Sequence, residues 1–312
     1  MLSSLKTFIV AAASKEKIYC DRNVHQYLTH SASKVVYKPV PRSGGYMIDN
    51  RRDRKIIEDE YKPKKANCKL RFELMDENDI EFMIQIATEH FVRESNLMRH
   101  LQIKCEELIE RWAPLIAKYI LSETSVIIKD GDKIVGTGFG NVHDRKDFDR
   151  IFRGQLFHDN PKFVIKDDYA EDINNGPYKS RNFNRVVVLF DELEWQTGKF
   201  LPKNTEKIGC SELISVDPNY MRLNLASKIA LVNRELFQSK GCTHEHAIPV
   251  ATGTWKAGQK LGHRTLFSLP YNQFLDNGKP VFENLHDNAI AAHSTLMDYK
   301  IDKIHESMLE KI

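Results

Sequence analysis

Apolar residues recur at strand and helix spacings from about residue 68 onward. Residues 69–74 read as a strand, and Asp76 is a candidate cap for the helix that follows. Residues 124–142 are predicted to form a hairpin, because Asp130-Gly131 supplies a turn between two runs rich in β-branched residues. The helix expected after Asp76 buries four residues on one face: Ile80, Met83, Ile84 and Ala87.

The second half of the chain continues this alternation. A helix is predicted from about Met98, bent or ended at Pro114. Residues 212–216 read as a strand, and a long helix then ends at Gly241 as its C′ residue. That helix carries Leu225, Ile229, Val232 and Leu236 on one face. Further strands are expected at 243–250, 264–269 and 289–300, with a short helix at 254–260. The order predicts an α/β (α+β) chain with a mixed sheet.

Two segments interrupt the pattern. Residues 1–67 are polar with few periodic apolar positions, so they are predicted to form a loosely structured N-terminal extension. Residues 143–205 form a polar insertion with scattered aromatic residues, in which 186–195 is a candidate helix. These aromatic side chains either shape a pocket for an aryl ring or simply pack the insertion. The main domain is therefore predicted to span residues 68–312.

Composition narrows the classes of protein. The 46 basic and 43 acidic residues are scattered and leave a net charge of +3, so no nucleic-acid partner is expected. Five distant cysteines without zinc-finger spacing indicate reduced thiols in an intracellular protein. No apolar stretch approaches the roughly 20 residues that span a bilayer, so no membrane partner is expected. We expect a cytoplasmic monomer. A mitochondrial location is the alternative, because the first 15 residues contain no acidic residue, as in a mitochondrial presequence. They also contain no arginine, which such presequences usually have.

Residues 212–226 carry the strongest functional signal. They predict a short strand, a turn and the first turn of a long helix. Unpaired backbone N–H groups and the positive end of the helix dipole meet there, which makes the segment a candidate site for a diphosphate.

Four segments, in this order, resemble the insect-type arylalkylamine N-acetyltransferases of the Gcn5-related N-acetyltransferase (GNAT) superfamily. They are Phe91-Val-Arg-Glu-Ser-Asn-Leu97, Ser211-Glu-Leu-Ile-Ser-Val-Asp-Pro-Asn-Tyr220, Lys260-Leu-Gly-His263 and Gly278-Lys-Pro-Val-Phe282. The similarity extends over about residues 69–300. The resemblance implies a GNAT fold, with a mixed central sheet flanked by helices, and acetyl-CoA as cosubstrate. It further implies a small primary amine as acceptor, expected to be an arylalkylamine such as dopamine, tyramine, octopamine or serotonin.

The resemblance also implies which residues bind acetyl-CoA, although the loop departs from the superfamily signature. The pattern Arg/Gln-x-x-Gly-x-Gly/Ala is represented by Met221, Asn224 and Ala226. Asn tolerates a left-handed backbone better than most residues, and Arg222 adds a cation for the diphosphate. The predicted binding residues are Ile214, Val216, Met221, Arg222, Leu223, Asn224, Leu225 and Ala226.

Acetyl transfer to an amine needs a base for the amine and an acid or donor for the departing CoA thiolate. The resemblance places the catalytic base at Glu94, whose other interpretation is an exposed glutamate after a helix. The tyrosine acid of many acetyltransferases is replaced by Gly258, and Thr254 stands where the insect-type enzymes have a serine. Thr254 is therefore the candidate donor to sulfur, and it is also a candidate N-cap. His90 is a second candidate for the base.

No metal is expected. His244 and His246 share one face of a strand, but no third ligand stands at a recognisable spacing. One of these histidines is an alternative lining residue of the amine channel. The altered loop and the missing tyrosine also leave a second function open: a catalytically silent GNAT-fold protein that acts as a CoA-binding or protein-interaction module.

Overall fold

An eight-stranded mixed sheet organises the protein, which a computed structural model describes over residues 35–305. In chain order the strands are β1 (Arg42–Ser43), β2 (Tyr46–Met47), β3 (Ile56–Tyr61), β4 (Leu70–Leu74), β5 (Val126–Asp130), β6 (Lys133–Asp144), β7 (Lys207–Val216), β8 (His244–Ala247), β9 (Arg264–Pro270), β10 (Leu275–Asp276), β11 (Lys279–Pro280) and β12 (Ala291–Asp298). The main sheet has the order β3-β4-β5-β6-β7-β8-β12-β9, and β1–β2 and β10–β11 are separate hairpins. Only β7 and β8 pair in parallel within the described residues.

Helices cover both faces of this sheet. They are α1 (Ile80–Glu94), α2 (Asn96–His100), α3 (Cys105–Leu121), α4 (Phe148–Ile151), α5 (Ala170–Asn174), α6 (Arg181–Thr197), α7 (Leu225–Ser239) and α8 (Thr252–Lys260). The apolar faces of α1, α3 and α6 share one core with Ile127 and Phe139 of the sheet. The apolar face of α7 packs on the opposite side, against Val126 and Ile128. Between residues 35 and 305 no helix is both long enough and apolar enough to cross a membrane.

Most elements predicted from periodicity are confirmed. The β5–β6 hairpin turns at Gly131, which has φ 60°, and Gly241 follows α7 with φ 85°. Of the two outcomes predicted at Pro114, an end of the helix is wrong, because Pro114 lies inside α3. The chain is interrupted earlier, where Gln102 adopts φ 55° between α2 and α3. Four cysteines are free thiols, as predicted: Cys68, Cys105, Cys210 and Cys242.

Residues 35–67 differ from the predicted loose extension. Strand β3 forms one edge of the main sheet by pairing with β4. Arg54 is buried, and its guanidinium donates to three buried carboxylates at 2.6–3.0 Å: Asp49, Glu73 and Asp79. The expectation is therefore wrong for these residues, because polar side chains can be buried when charge partners satisfy them. The rest of the predicted extension lies outside the described residues.

The insertion of residues 143–205 packs on the side of α3. Helix α6 is longer than the predicted 186–195. The aromatic residues of the insertion support the packing interpretation, since four of them are fully buried: Phe148, Phe152, Tyr169 and Phe183. Phe163 stacks on Phe267 of β9, with ring centroids 4.2 Å apart.

The close approach of α7 to the sheet depends on Gly138 of β6. A Cβ at this position would lie 2.2 Å from Cγ2 of Ile229. Gly138→Ala is therefore expected to lower the free energy of unfolding by about 1–3 kcal/mol in a denaturant titration. Gly253→Ala is the matched control, because its Cβ would meet no atom within 4 Å. Equal stability of the two variants would contradict this packing.

Candidate active site

The parallel strands β7 and β8 separate partway along their length. Their pairing runs from Ile208–His244 to Ser211–Ala247, where β8 ends while β7 continues to Val216. At the same point the pairing of β7 with β6 shifts by one residue, from Gly140–Ser211 to Phe139–Leu213. Glu212 is thus the extra residue of a β-bulge, which bends the strand and ends its pairing on one side. We call the opening beyond this bulge, between the end of β7 and the end of β8, the split.

Backbone N–H groups of β7 face this split. The N–H of Asp217 donates to the carbonyl of Val135 at 2.9 Å, so Asp217 directs its backbone toward β6. The direction of the backbone N–H and C=O groups alternates from residue to residue along an antiparallel pair. The N–H groups of Ile214 and Val216 therefore point away from β6. No other strand of the described residues pairs with β7 there. This free edge of β7 can therefore bind an extended ligand in the way that a sheet edge binds an additional strand.

A tight loop links the end of β7 to α7. The side chain of Asp217 accepts from the N–H of Asn219 at 2.9 Å, and Tyr220 donates to Asp130 at 2.5 Å, which ties the loop to the β5–β6 turn. Arg222 and Asn224 have φ values of 65° and 61°. Such positive φ values favour Gly and, next, Asn. The structure thus gives the physical reason for asparagine at position 224.

The N-terminus of α7 directs three backbone N–H groups out of the helix. The first intrahelical bond is from the N–H of Lys228 to the carbonyl of Asn224, so the N–H groups of Leu225, Ala226 and Ser227 precede it. Met221 and Arg222 are exposed beside them. Leu223 and Leu225 anchor the segment in the core under α7.

Glu94 lies at the end of α1, where the chain passes between the ends of β7 and β8. One turn back, His90 lines a small cavity with Ser215 and Asp217 of the β7 end. Just beyond, Asn96 donates to the carbonyl of Val250, which follows β8, at 2.9 Å. Glu94 itself is half-buried and accepts from Nε of Arg93 at 2.7 Å. Burial lowers the pKa of His90 to about 4, so its imidazole is neutral at pH 7.

Thr254 lies in the first turn of α8 and is exposed. Its interpretation as an N-cap is wrong, because α8 begins at Thr252 and Ala251 is the capping residue. Trp255 fixes the helix by stacking on His293 with ring centroids 4.2 Å apart. A Cβ at Gly258 would make only ordinary van der Waals contact, with Cβ of His263 at 3.8 Å.

A buried polar group behind the bulge was not predicted. The Glu212 carboxylate interacts with Tyr119 and Asn141, and burial raises its pKa. Glu212 is half-buried as a residue, and its carboxyl lies among side chains of α3, α6 and β6. Burial and the nearby Glu212 raise the pKa of Glu194 on α6 to about 7. The signal in the sequence was a single carboxylate in residues 208–216, which are otherwise uncharged.

Within residues 35–305, one group of three potential metal ligands is brought together: His143, Cys210 and Glu212 have donor atoms within 4.8 Å of one another. Burial, with Glu212, raises the pKa of Cys210 and keeps it a thiol. The positive charge of Lys118 acts on the same group, so we assign no metal to it. His244 and His246 lie elsewhere: His244 faces Asp298 at 3.4 Å, and burial lowers the pKa of His246 to about 3.

A mixed sheet whose parallel strands separate at a bulge, followed by a turn and a helix N-terminus, is the fold of the Gcn5-related N-acetyltransferases. No protein-family model matches the sequence, and no curated protein matches it. Among solved structures, arylalkylamine N-acetyltransferase 2 from Aedes aegypti is similar with a TM-score of 0.59 and 16% identity, over 75% of this chain and 100% of that one.

Two further structures share the fold. A polyamine N-acetyltransferase of Drosophila melanogaster that forms N-acetylagmatine has a TM-score of 0.56 and 13% identity, over 73% of this chain and 99% of that one. The C-terminal condensation domain of Ebony, in complex with β-alanyl-dopamine, has a TM-score of 0.50 and 16% identity, over 74% and 99%. The resemblance to the insect arylalkylamine branch is confirmed for the fold.

Proposed function

We propose that this protein is an acetyl-CoA-dependent N-acetyltransferase that acts on a small primary amine of the arylalkylamine class. The observation that carries the proposal is the split, because it combines an unpaired strand edge with a helix N-terminus in one groove. An extended amide-containing chain fits the first feature, and a diphosphate fits the second. Acetyl-CoA contains both groups.

The coenzyme contacts follow from these two features. Ile214 and Val216 offer backbone N–H groups to the pantetheine amides and the thioester carbonyl. The N–H groups of Leu225 and Ala226 offer donors to the diphosphate, with the cation of Arg222 nearby. Met221 contributes apolar contact only. Thr254 stands at the start of α8 as the hydroxyl predicted to donate to sulfur.

The acceptor amine approaches from the side of α1. Glu94 is proposed to take its proton. The support is its place in the chain, because His90 lines a cavity with Ser215 at the end of β7, and Asn96 contacts the carbonyl of Val250 after β8. Its partner Arg93 orients the carboxylate. The arylalkylamine class is supported by the fold shared with the Aedes aegypti enzyme.

Calorimetry and a thiol-release assay test this function together. We expect acetyl-CoA to bind the full chain, and CoA to be released only when an amine from a panel of dopamine, tyramine, octopamine, serotonin and agmatine is added. Binding without amine-dependent release favours the silent CoA-binding module, for which the altered residues Met221 and Asn224 are the specific observation. Failure to bind acetyl-CoA rejects both functions.

Asn224→Gly is expected to tighten acetyl-CoA binding about three- to tenfold, roughly the gain of one improved hydrogen bond to a charged group. Glycine adopts the observed φ of 61° without strain, and removal of the side chain lets the phosphate approach the backbone. Asn219→Gly in the same loop is the matched control, for which we expect no tightening. An unchanged dissociation constant for Asn224→Gly would remove this position from the phosphate site.

A further inference from the structure

One carboxylate joins the two segments that carry the side chains proposed for acetyl transfer. Glu94 is the last residue of α1, and Thr254 lies in the first turn of α8. These segments are far apart in the sequence, so tertiary contacts have to fix the distance between them. The carboxylate of Asp287, in the loop between β11 and β12, accepts hydrogen bonds from both segments.

The corner between α1 and α2 is held through the side chain of Asn96. This residue begins α2, two positions after Glu94, and it is buried. Its amide oxygen accepts from the N–H of Leu97 at 2.8 Å. Its amide nitrogen donates to the carbonyl of Val250 at 2.9 Å and to the carboxylate of Asp287 at 3.2 Å. Both hydrogens of the amide group therefore have acceptors, which fixes the corner next to Glu94.

The start of α8 is held by the same carboxylate. Ala251 is the capping residue of this helix, and its methyl side chain cannot accept from the first N–H groups. The N–H of Thr252 donates instead to Asp287 at 3.2 Å. A carboxylate at a helix N-terminus also interacts favourably with the helix dipole. Asp287 thus caps α8 from a distant segment, two residues before Thr254.

The loop that carries Asp287 is itself anchored. Three of its apolar residues are buried in the core shared with α1 and α3: Val281, Phe282 and Leu285. The N–H of Ala289 donates to the Asp287 carboxylate at 3.2 Å and fixes the side chain within the loop. These donors, the Asn96 amide and two backbone N–H groups, are all neutral. The link therefore depends on acceptor atoms at position 287, which a single substitution can change.

We propose that Asp287 is a positioning residue of the acetyl transfer, a role that rests on the proposed function. It fixes the α1–α2 corner, with the proposed base, relative to the start of α8, with the proposed donor to sulfur. The amine nitrogen bonds to the thioester carbon and gives its proton to Glu94. The C–S electron pair goes to the sulfur, which Thr254 stabilises, and the thiolate takes a proton from solvent after release. Base and donor must face one thioester, and a misplacement of about 1 Å can lower the rate about 100-fold.

Asp287→Asn is expected to lower kcat about 10- to 100-fold while the dissociation constant of acetyl-CoA stays within threefold of wild type. Asparagine keeps the shape of the side chain but directs an NH₂ group toward N–H donors. The hydrogen bonds of Asp287 go to α2, α8 and its own loop rather than to β7 or α7, where the coenzyme is proposed to bind.

The thiol-release assay measures kcat per acetyl-CoA binding site, with the sites titrated by calorimetry. A loss of folded protein is then not counted as a loss of kcat. Loss of acetyl-CoA binding in the variant, or a kcat within threefold of wild type, would overturn the assignment.

Asp168→Asn is the matched control for a purely structural effect. The Asp168 carboxylate also accepts from backbone N–H groups, those of Ala170, Asn277 and Gly278 at 2.6–3.2 Å. It ties the insertion to the β10–β11 hairpin. Its replacement is expected to lower the midpoint of a guanidinium chloride titration, as Asp287→Asn does, but to leave kcat unchanged. An equal fall in kcat would indicate general loosening and refute the proposal.

A local cap separates capping of α8 from positioning. Ala251→Ser in the Asp287→Asn background gives the helix a side chain that can accept from its first N–H groups. It does not restore the link to Asn96. We expect kcat to remain within threefold of the Asp287→Asn value. Recovery of kcat to the wild-type value would mean that Asp287 only caps α8, and the positioning role would be rejected.

Asn96→Ala tests the other end of the link. Because either single variant removes the same contact, the double variant with Asp287→Asn should fall no more than threefold below the slower single variant. Losses that multiply would show independent action and contradict the proposal. If wild type releases no CoA with any amine, the proposed function fails and this role with it. An active wild type with an unaffected Asp287→Asn variant rejects only the positioning role.

Discussion

Glu94→Gln is expected to lower kcat for amine acetylation by about 10²- to 10⁴-fold while the dissociation constant of acetyl-CoA stays unchanged. Glutamine keeps the shape of the side chain but cannot take a proton from the amine. Glu94 contacts Arg93 rather than the strand edge proposed to bind the coenzyme, so binding should be spared. Steady-state kinetics with calorimetry on the same preparation measures both quantities.

Glu81→Gln provides a matched control for this result. Glu81 is an exposed carboxylate near the start of the same helix. Its replacement is expected to leave kcat and KM at wild-type values. If Glu94→Gln retained kcat within threefold, the amine would lose its proton elsewhere, and the neutral imidazole of His90 would be the next candidate.

Arg54→Met is expected to lower the free energy of unfolding by about 3–5 kcal/mol. Methionine fills most of the volume but leaves Asp49, Glu73 and Asp79 as buried carboxylates without their main partner. Lys129, whose Nζ lies 3.3 Å from Asp49, compensates only part of that charge. A guanidinium chloride titration measures the loss.

The same variant has a predicted pH dependence. Burial opposes ionisation of Asp49, but hydrogen bonds from Arg54 and the Arg51 backbone, together with the charges of Arg54 and Lys129, outweigh it and lower the pKa of Asp49 in the folded protein. A lowered carboxyl pKa contributes stability above the unfolded-state value and loses it as the pH falls through the folded-state value. The gap between Arg54→Met and wild type should therefore narrow below about pH 4.

Arg52→Met is the control for Arg54. Arg52 pairs with Asp132 at the surface, where both side chains are about half exposed at 53% and 47%. Screening by water limits such a pair, so the expected change is within about 1 kcal/mol. Equal losses for the two variants would mean that residues 35–67 add little to the stability of the domain.

Local pattern predicted much of the fold because local chemistry determines it. The β5–β6 hairpin follows from Asp130-Gly131, and α7 follows from its apolar spacing together with Gly241. Asn224 was predicted to be the mildest replacement for the signature glycine, because Asn tolerates a left-handed backbone, and its φ is 61°. The order of the four similar segments predicted the superfamily fold.

Features that depend on distant partners were missed. Arg54 looks like part of a solvated charge run in the sequence, since its three acceptors come from three separate segments. The bulge at Glu212 depends on a register shift between β6 and β7, whose residues are far apart in the chain. The spacing of apolar residues in the sequence predicts neither the ion-pair cluster around Arg54 nor the bulge at Glu212. The position of Glu212 at the bulge therefore became visible only with the strand pairing.

The two ends of the main sheet are protected in different ways. Strand β3 exposes a row of acids, Glu58, Asp59 and Glu60, and its pairing with β4 is irregular at two points. At the far end, the rings of Phe163 and Phe200 pack on the side chain of Phe267 of β9. The β3 margin does not offer the flat, uncharged row of backbone groups that templates intermolecular strand addition. Concentrated preparations should thus resist fibrous self-association.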